Sequence, residues 1–428
     1  MRYSLVAPAL LAGAAYAWLP QDRDLAAFNQ TARFEQLGKR FKPTLPSGVS
    51  KIRGVNFGGW LICEPWMMPH EWNVNMKCNG ALSEFDCMLN NYMGSNRAAG
   101  NKAFQDHWAR WITPNDVQKV HDVGLNTIRI PIGYWSYTPI VTTDSEPFAD
   151  GDLMLPYLDA VVQKAANLGM YVIIDLHGAP GGQQQDPFTG QNPNPAGFFN
   201  DYQYGRAYQW LAWMTNRIHT NSAYSSVGMI EVLNEPVSTH DGARWPAPGE
   251  DPGLITDYYP NALKAVRNAE AALGIPDSKK LHVQFMSAKW DSGDPQWNSD
   301  VANDPITAFD DHNYIGFGVS DNGNQQALMQ SACTDSRLQG GETFEITGEW
   351  SMTSNVAWQD TDFFKKFWTA QQQMYEVPGM SGWIYWTWTT ELGDPRWDYQ
   401  NATQLGLVPT NAAALQANVF QDVCQPWR

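Results

Sequence analysis

The chain has 428 residues, of which 17% are charged, with a formal net charge of −16. That length suits a single barrel-type catalytic domain with loop insertions and a large core. The acidic balance argues against nucleic acid or an anionic membrane as partner, and favours a soluble protein, expected to be a monomer, acting on a neutral ligand.

The chain opens with Arg2, a short apolar run from Leu5 to Ala15 and the small-x-small triplet Ala15-Tyr16-Ala17. This pattern predicts a signal peptide over residues 1–17 and secretion to the medium or the cell wall. The run is too short to span a bilayer. Residues 18–45 lack a clear period and read as an N-terminal segment open to processing. The catalytic domain is expected over 46–428. Sequons at Asn29 and Asn401 are candidate glycosylation sites.

Eight short, near-continuously apolar runs follow: Ile52–Phe57, Asn126–Ile130, Tyr171–Asp175, Met229–Asn234, His282–Met286, Thr307–Asp311, Glu345–Glu349 and Gly382–Trp386. Such runs are the mark of strands buried on both faces. Helical stretches alternate with them: Asn115–Val123, Tyr157–Leu168, Asp201–His219, Tyr258–Leu273 and Asp360–Tyr375. Pro114 and Pro156 stand at helix starts, and Gly124 and Gly169 at helix stops. Eight strand–helix units predict an α/β fold of the (β/α)8 TIM-barrel type with loop insertions. The stretch Gly58–Ile112 reads as an irregular insertion, and Gly178–Gly197 as a long loop after the third strand. Of five cysteines, Cys78 and Cys87 close a short loop and form the simplest pair. Cys333 and Cys424 would tie a late loop to the C-terminus, leaving Cys63 buried and free.

In such a barrel the active site forms at the C-terminal ends of the strands. Those ends carry Arg129, His177, Asn234-Glu235, His312 with Tyr314, Glu349 and Trp386. Taken alone, each has an ordinary reading: a Glu after a strand often caps a helix, and a single His is often a satisfied core residue. Taken together, at successive strand ends, they point to one site. Two carboxylates stand out among them, Glu235 and Glu349, as candidates for the pair that a retaining glycosidase needs about 5–5.5 Å apart. Asn234 could bond a sugar 2-hydroxyl, and Arg129 could keep Glu349 ionised. His177, His312 and Tyr314 could orient the carboxylates, and Trp386 could floor the sugar site. Trp66, Trp72, Trp290, Trp297, Trp388 and Trp397 sit among Pro, Gly and polar residues, as loop-borne rings that suit pyranose faces would. No metal or cofactor is expected, since the chain lacks C-x-x-C, H-E-x-x-H and phosphate-cradling glycine patterns, and the lack of a G-x-S-x-G elbow argues against a serine hydrolase.

At these residues the sequence resembles glycoside hydrolase family five, in its fungal glucanase branch. The carriers are Arg53-Gly54-Val55-Asn56, Glu64-Pro65-Trp66, the run Asn126 to Trp135, the run Asp175 to Gly181, and Asn234-Glu235-Pro236. The resemblance implies Glu235 as acid/base and Glu349 as nucleophile. It also implies a subsite lined by Arg129, His177, Asn234, His312, Tyr314 and Trp386, with Glu64 as a further sugar-binding residue. Glu64-Pro65-Trp66-Met67, Ser83 to Cys87, Asp201 to Tyr204 and Ser292 to Pro295 are most similar to the β-1,6-acting members. Gly58-Gly59-Trp60 departs toward the exo-β-1,3 members. The expected partner is therefore a β-glucan polysaccharide or oligosaccharide, cleaved at β-1,6 linkages. The alternatives are an exo-β-1,3-glucanase, or a catalytically inactive barrel that binds the wall.

Overall fold

Eight strands close into one parallel barrel: β1 (Ile52–Asn56), β2 (Thr127–Gly133), β3 (Tyr171–Gly178), β4 (Val227–Glu231), β5 (His282–Met286), β6 (Thr307–His312), β7 (Glu345–Glu349) and β8 (Met380–Tyr385). Each strand pairs with its neighbour in chain order, and β8 returns to β1. The computed structural model describes residues 51–427, except 143–144, 194, 241–242, 246–252, 291 and 339–343. The expected signal segment, the stretch up to residue 45 and the sequon at Asn29 lie outside the described residues.

The longer helices are α1 (Glu84–Asn91), α2 (Arg97–Trp111), α3 (Pro114–Asp122), α4 (Leu155–Leu168), α5 (Asp201–Thr220), α6 (Tyr259–Ala272), α7 (Gln325–Thr334) and α8 (Thr361–Tyr375). Their ends follow local chemistry. Thr113 and Asp116 form a capping box at the start of α3, with Pro114 at its first position. Gly169, in the left-handed region at φ 71°, stops α4. The side chains of Asn200 and Asp360 cap α5 and α8. Among the described residues, no helix is long and apolar enough to cross a membrane.

The barrel interior is layered by the two-residue period of its strands. On β3 the period carries Ile173, Asp175 and His177; on β6 it carries Ala308, Asp310 and His312. The lower members join Ile52, Tyr171, Met229, Phe344, Ile346 and Ile384 in an apolar plug. Above the plug lies a polar layer of Arg129, Asp175, Glu231, Gln284 and Asp310, all fully buried. Strand register sets it: Asp175 pairs with Glu231, and Glu231 with Gln284. Below the barrel, Arg53 on β1 forms a bidentate pair with the buried Glu376 at 2.8 and 2.5 Å. Trp383 of β8 donates its indole N–H to the same carboxylate at 2.8 Å. This knot clamps the β1–β8 seam where the barrel closes.

The insertion after β1 is more regular than its sequence suggests, because it holds α1 and α2. The buried face of α2 is Gly100, Phe104, His107 and Trp108. That spacing is helical, but two of its four positions are Gly and His, so no apolar stripe marks it. Disulfides join Cys78 to Cys87 and Cys333 to Cys424, and Cys63 is a buried free thiol. The first bridge anchors α1 within the insertion; the second ties the end of α7 to the C-terminal tail.

Glu84, the first residue of α1, connects the insertion to the barrel mouth. Its carboxyl is buried and accepts the Cys63 backbone N–H at 2.7 Å. Burial pushes this carboxyl up from 4.5 to about 8, although the Cys63 donors and the Trp135 indole pull it back. The folded chain therefore holds this proton more tightly than the unfolded chain does. Its stabilising contribution is complete below pH 4.5 and is lost as pH rises toward about 8. Glu84→Gln, uncharged throughout, should be more stable than the wild type at alkaline pH and flatten this part of the stability–pH curve. Thermal denaturation of both proteins across the range reads this difference, and a stability–pH curve left unchanged by the substitution would contradict the assignment.

Candidate active site

Seven of the eight strands, or the loops directly after them, send side chains to a cavity of about 780 Å³ at the C-terminal mouth of the barrel. Of the residues singled out in the sequence, Glu64, His177, Asn234, Glu235, Trp290, His312, Tyr314, Glu349 and Trp386 line it. Arg129 does not. It is fully buried beneath the cavity floor and acts on the site from below.

Arg129 is the hub of the polar layer. Its Nη1 donates to Glu349 Oε1 at 2.9 Å and to Asn56 Oδ1 at 3.0 Å. Its Nε donates to Glu231 Oε2 and its Nη2 to Asn234 Oδ1, both at 2.8 Å. Asp175 lies 3.1 Å and Asp310 3.7 Å away. Burial pulls the guanidinium pKa down, but the carboxylates of Asp175, Glu231, Glu349 and Asp310 outweigh it and hold the charge. Burial raises the Glu231 carboxyl, with Arg129 opposing and Asp175 and Asp310 reinforcing.

Glu349 ends β7 and is held at both oxygens. Besides Arg129 on Oε1, the Tyr314 hydroxyl donates to Oε2 at 2.8 Å. Burial raises this carboxyl; the charges of His312 and Arg129 pull it down, and Glu235 pushes it up again. Burial, with Glu349 and Glu235 reinforcing, keeps Tyr314 a phenol and so a donor. Across the mouth, Glu235 Oε1 lies 2.6 Å from His312 Nδ1. One oxygen of Glu235, one of Glu349 and a nitrogen of His312 all lie within 4.8 Å of one another. Burial lowers the His312 pKa, yet the carboxylates of Glu349, Asp310 and Glu235 raise it well above its ordinary value overall.

The backbone that presents Glu235 is strained: its φ is +40°, in the left-handed region, although Pro236 follows. Such a conformation costs roughly 1–3 kcal/mol and persists only where its surroundings over-determine it. Here Asn234 N–H bonds Leu176 O at 3.1 Å and Val237 N–H bonds Gln183 O at 2.9 Å. The Gln183 amide in turn donates to Asn234 O at 2.9 Å.

On the opposite wall, the rings of His177 and Trp386 stack with centroids 5.6 Å apart and planes 7° apart. His177 Nδ1 lies 2.7 Å from Asp175 Oδ2, which fixes the ring from the polar layer. A Cβ on Gly58 would meet the Trp386 ring at 2.8 Å, so a glycine at 58 leaves room for the indole. Glu64 accepts from the Trp66 indole at 2.8 Å; burial raises its pKa, the Trp66 N–H lowers it, and Glu349, Asp186 and Glu235 raise it further.

The six rings read as loop-borne divide three ways. Trp66, Trp290 and Trp397 line the cavity. Trp297 is 73% exposed but is not a lining residue. Trp72 and Trp388 are buried and correct the sequence reading: the Trp72 indole donates to Ala81 O at 3.0 Å, and Trp388 packs on Tyr399. Their Pro, Gly and polar neighbours mark where the chain turns, not where the rings point. The sequence reading also missed Gln184, Asp186, Phe188 and Phe317, which line the cavity from loops without a strand-end signal. It missed Glu231 and Asp310 as well. Their signal was present, as acidic residues inside otherwise apolar strands.

A closed parallel barrel with two facing carboxylates at its mouth, over a buried arginine, is the architecture of a glycoside hydrolase. The chain belongs to glycosyl hydrolase family 5, whose Cellulase model matches residues 93–391. It is 42% identical to glucan endo-1,6-beta-glucosidase B of Emericella nidulans, over 92% of this chain and 94% of that protein. It is 28% identical to the probable glucan 1,3-beta-glucosidase A of Aspergillus clavatus, over 84% of this chain and 87% of that protein. The crystal structure of rutinosidase from Aspergillus niger shares the fold, with a TM-score of 0.66 at 22% identity, covering 83% of this chain and 97% of that one.

Removing the hub should unbalance the layer. Arg129→Met leaves Asp175, Glu231, Asp310 and Glu349 facing one another without a buried cation, and should cost about 3–5 kcal/mol. Arg129→Lys keeps the charge but loses the fork, and should fall between the two. Equilibrium chemical denaturation reads both, and a Met variant as stable as wild type would refute the hub role.

Proposed function

We propose that the protein is a secreted β-glucanase that cleaves β-1,6-glucosidic linkages with retention, using Glu349 as nucleophile and Glu235 as acid/base. The observation that carries the reading is the facing pair: oxygens of the two carboxyl groups lie within 4.8 Å. Retaining enzymes place these groups about 5–5.5 Å apart, whereas inverting ones need about 6.5–9.5 Å to admit a water. The β-1,6 linkage is supported by the name of the 42%-identical relative. Secretion is supported by the Ala15-Tyr16-Ala17 pattern and by two disulfides.

The chemistry follows from the hydrogen bonds. Arg129 and Tyr314 hold Glu349 with an oxygen available to attack the anomeric carbon. As that bond forms, Glu235 donates its proton to the leaving oxygen. The ionised Glu235 then takes a proton from water, whose oxygen displaces Glu349 and restores the original anomeric configuration. Asn234 gives its oxygen to Arg129, which leaves its Nδ2–H for a sugar hydroxyl. Trp386, backed by His177, supplies an apolar floor. Trp60 of the Gly58-Gly59-Trp60 departure is fully buried, its indole bonded to Trp108 O. Trp60 therefore does not touch substrate, and Gly58 bears on the site only by leaving room for Trp386.

Pustulan and laminarin separate the alternatives. Pustulan should be cut with internal scission, the product first appearing as the β-anomer by proton NMR. Glucose release from laminarin at a higher rate would favour the exo-β-1,3 reading. No turnover of either by folded protein would favour a wall-binding barrel. Glu349→Gln should lose several orders of magnitude in kcat with the fold intact, because no charge remains to attack carbon one.

The pH profile tests Glu349 separately. Its carboxyl is raised above 4.5 by burial, and the attacking form is the ionised one. Thus kcat/KM should fall with falling pH through a midpoint above 4.5, and an acid limb at or below that value would contradict the assignment.

A further inference from the structure

His312 stands between the two carboxylates, and what lies behind it bears on which oxygen of Glu235 carries the proton. Its Nδ1 is 2.6 Å from Glu235 Oε1 and 3.6 Å from Glu349 Oε2. Its Nε2 points into the polar layer, 3.6 Å from Asp310 Oδ2. Both of these last atoms are buried and, among the described residues, neither has a hydrogen-bond partner; they face each other at 3.6 Å as an ion pair, with Arg129 Nε 3.7 Å from the same Asp310 oxygen. The second Asp310 oxygen accepts the Gly348 N–H at 2.7 Å, directly before Glu349 in the chain. A Cβ at 348 would meet that oxygen at 2.1 Å, so the fit of Asp310 against β7 depends on a glycine. Among the described residues, no hydrogen bond engages Glu235 Oε2.

We propose that Asp310 is a positioning residue for the acid step, holding the Nε2 side of His312 so that its Nδ1–H is given to Glu235 Oε1 and the carboxyl proton of Glu235 stays on Oε2. The inference rests on the acid/base reading of Glu235. Each short contact holds one proton. With both ring nitrogens protonated, Nδ1–H fills the short contact to Oε1, and the proton of the carboxylic acid is left on Oε2, free to reach the leaving oxygen. With a neutral ring, Asp310 favours the proton on Nε2. Nδ1 then becomes an acceptor, and Glu235 turns its proton inward through Oε1, away from substrate. Loss of the His312 proton would thus switch off the acid while both glutamates remain in place.

Several charged groups face the ring. Glu235 and Glu349 lie above it, Asp310 and Glu231 below, and Arg129 beneath them, bonded to Glu231 and Glu349. The carboxylates favour the imidazolium over burial, and Glu349 and Asp310 are the strongest contributors. Asp310→Asn removes one of these charges while keeping an oxygen for Gly348 N–H.

The test is nitrogen-15 NMR of labelled histidine, together with kinetics on two substrates. In the wild type both ring nitrogens of His312 should be protonated at neutral pH. In Asp310→Asn the midpoint of its titration should fall by at least about one pH unit, and the alkaline limb of kcat/KM on pustulan should fall with it. At neutral pH the variant should lose about tenfold or more on pustulan. It should lose less than about threefold in glycosylation by a dinitrophenyl β-glucoside, whose leaving group needs little proton help. A folded variant with an unmoved midpoint, or with equal losses on both substrates, overturns the proposal. So does a wild-type His312 that is neutral at pH 7, a result that needs no variant. If the wild type turned over neither substrate, the proposed function would fall, while the ring titration would still decide whether Asp310 holds His312.

Discussion

The structure turns on one buried cation. Arg129 reaches four carboxylates and two amides from the second strand. Four carboxylates in the middle of a barrel would repel one another at short range in a medium of low dielectric. One guanidinium with five N–H donors in a fixed fork can serve several of them at once, where an ammonium would serve as a point charge. The apolar plug below and the cavity above are separated by this layer. It converts a hydrophobic interior into a platform with defined charge at defined positions.

That platform explains how loops can carry a precise site. Glu235 sits on a strained turn, yet Leu176, Gln183 and Val237 pin the backbone on both sides of it. His177 is fixed by Asp175 and Tyr314 by Glu349, so neighbouring strands set the orientation of one another's side chains. The rim is different. Trp66 packs edge-on against Trp397, and Phe317 leans on Trp397 and Tyr314 while remaining 70% exposed. These rings pack on one another above the polar layer.

Strands and strand-end residues were legible in the sequence because continuous apolar runs have a single interpretation when helices alternate with them. Glu235, Glu349, His177, His312, Tyr314 and Trp386 could be found by asking what ends each run. The insertion was not legible: the inner face of α2 uses Gly100 and His107, and the start of α1 buries Glu84. The same weakness hid Phe188 and Phe317, since a loop ring shows its direction only once the turn is known. Trp72 and Trp388 erred in the opposite sense, as residues in turn-rich sequence whose side chains fold back into the core. Periodicity reports which face of a regular element is buried; it is silent where no period exists.

The odd cysteine has a consequence for how the molecule reaches its final covalent form. Cys63 is fully buried, and burial pushes its thiol well above the ordinary value, with Glu84 reinforcing. Exchange between a thiol and a disulfide requires a thiolate with access to sulfur. Folded Cys63 offers neither, so the Cys78–Cys87 and Cys333–Cys424 bridges are insulated from reshuffling by their own chain. The nascent chain has no such insulation. Before the β1 loop docks under α1, all five thiols can compete: burial of Cys63 ahead of oxidation leaves four partners and three possible pairings, whereas oxidation ahead of burial adds the isomers that trap Cys63 in a bridge.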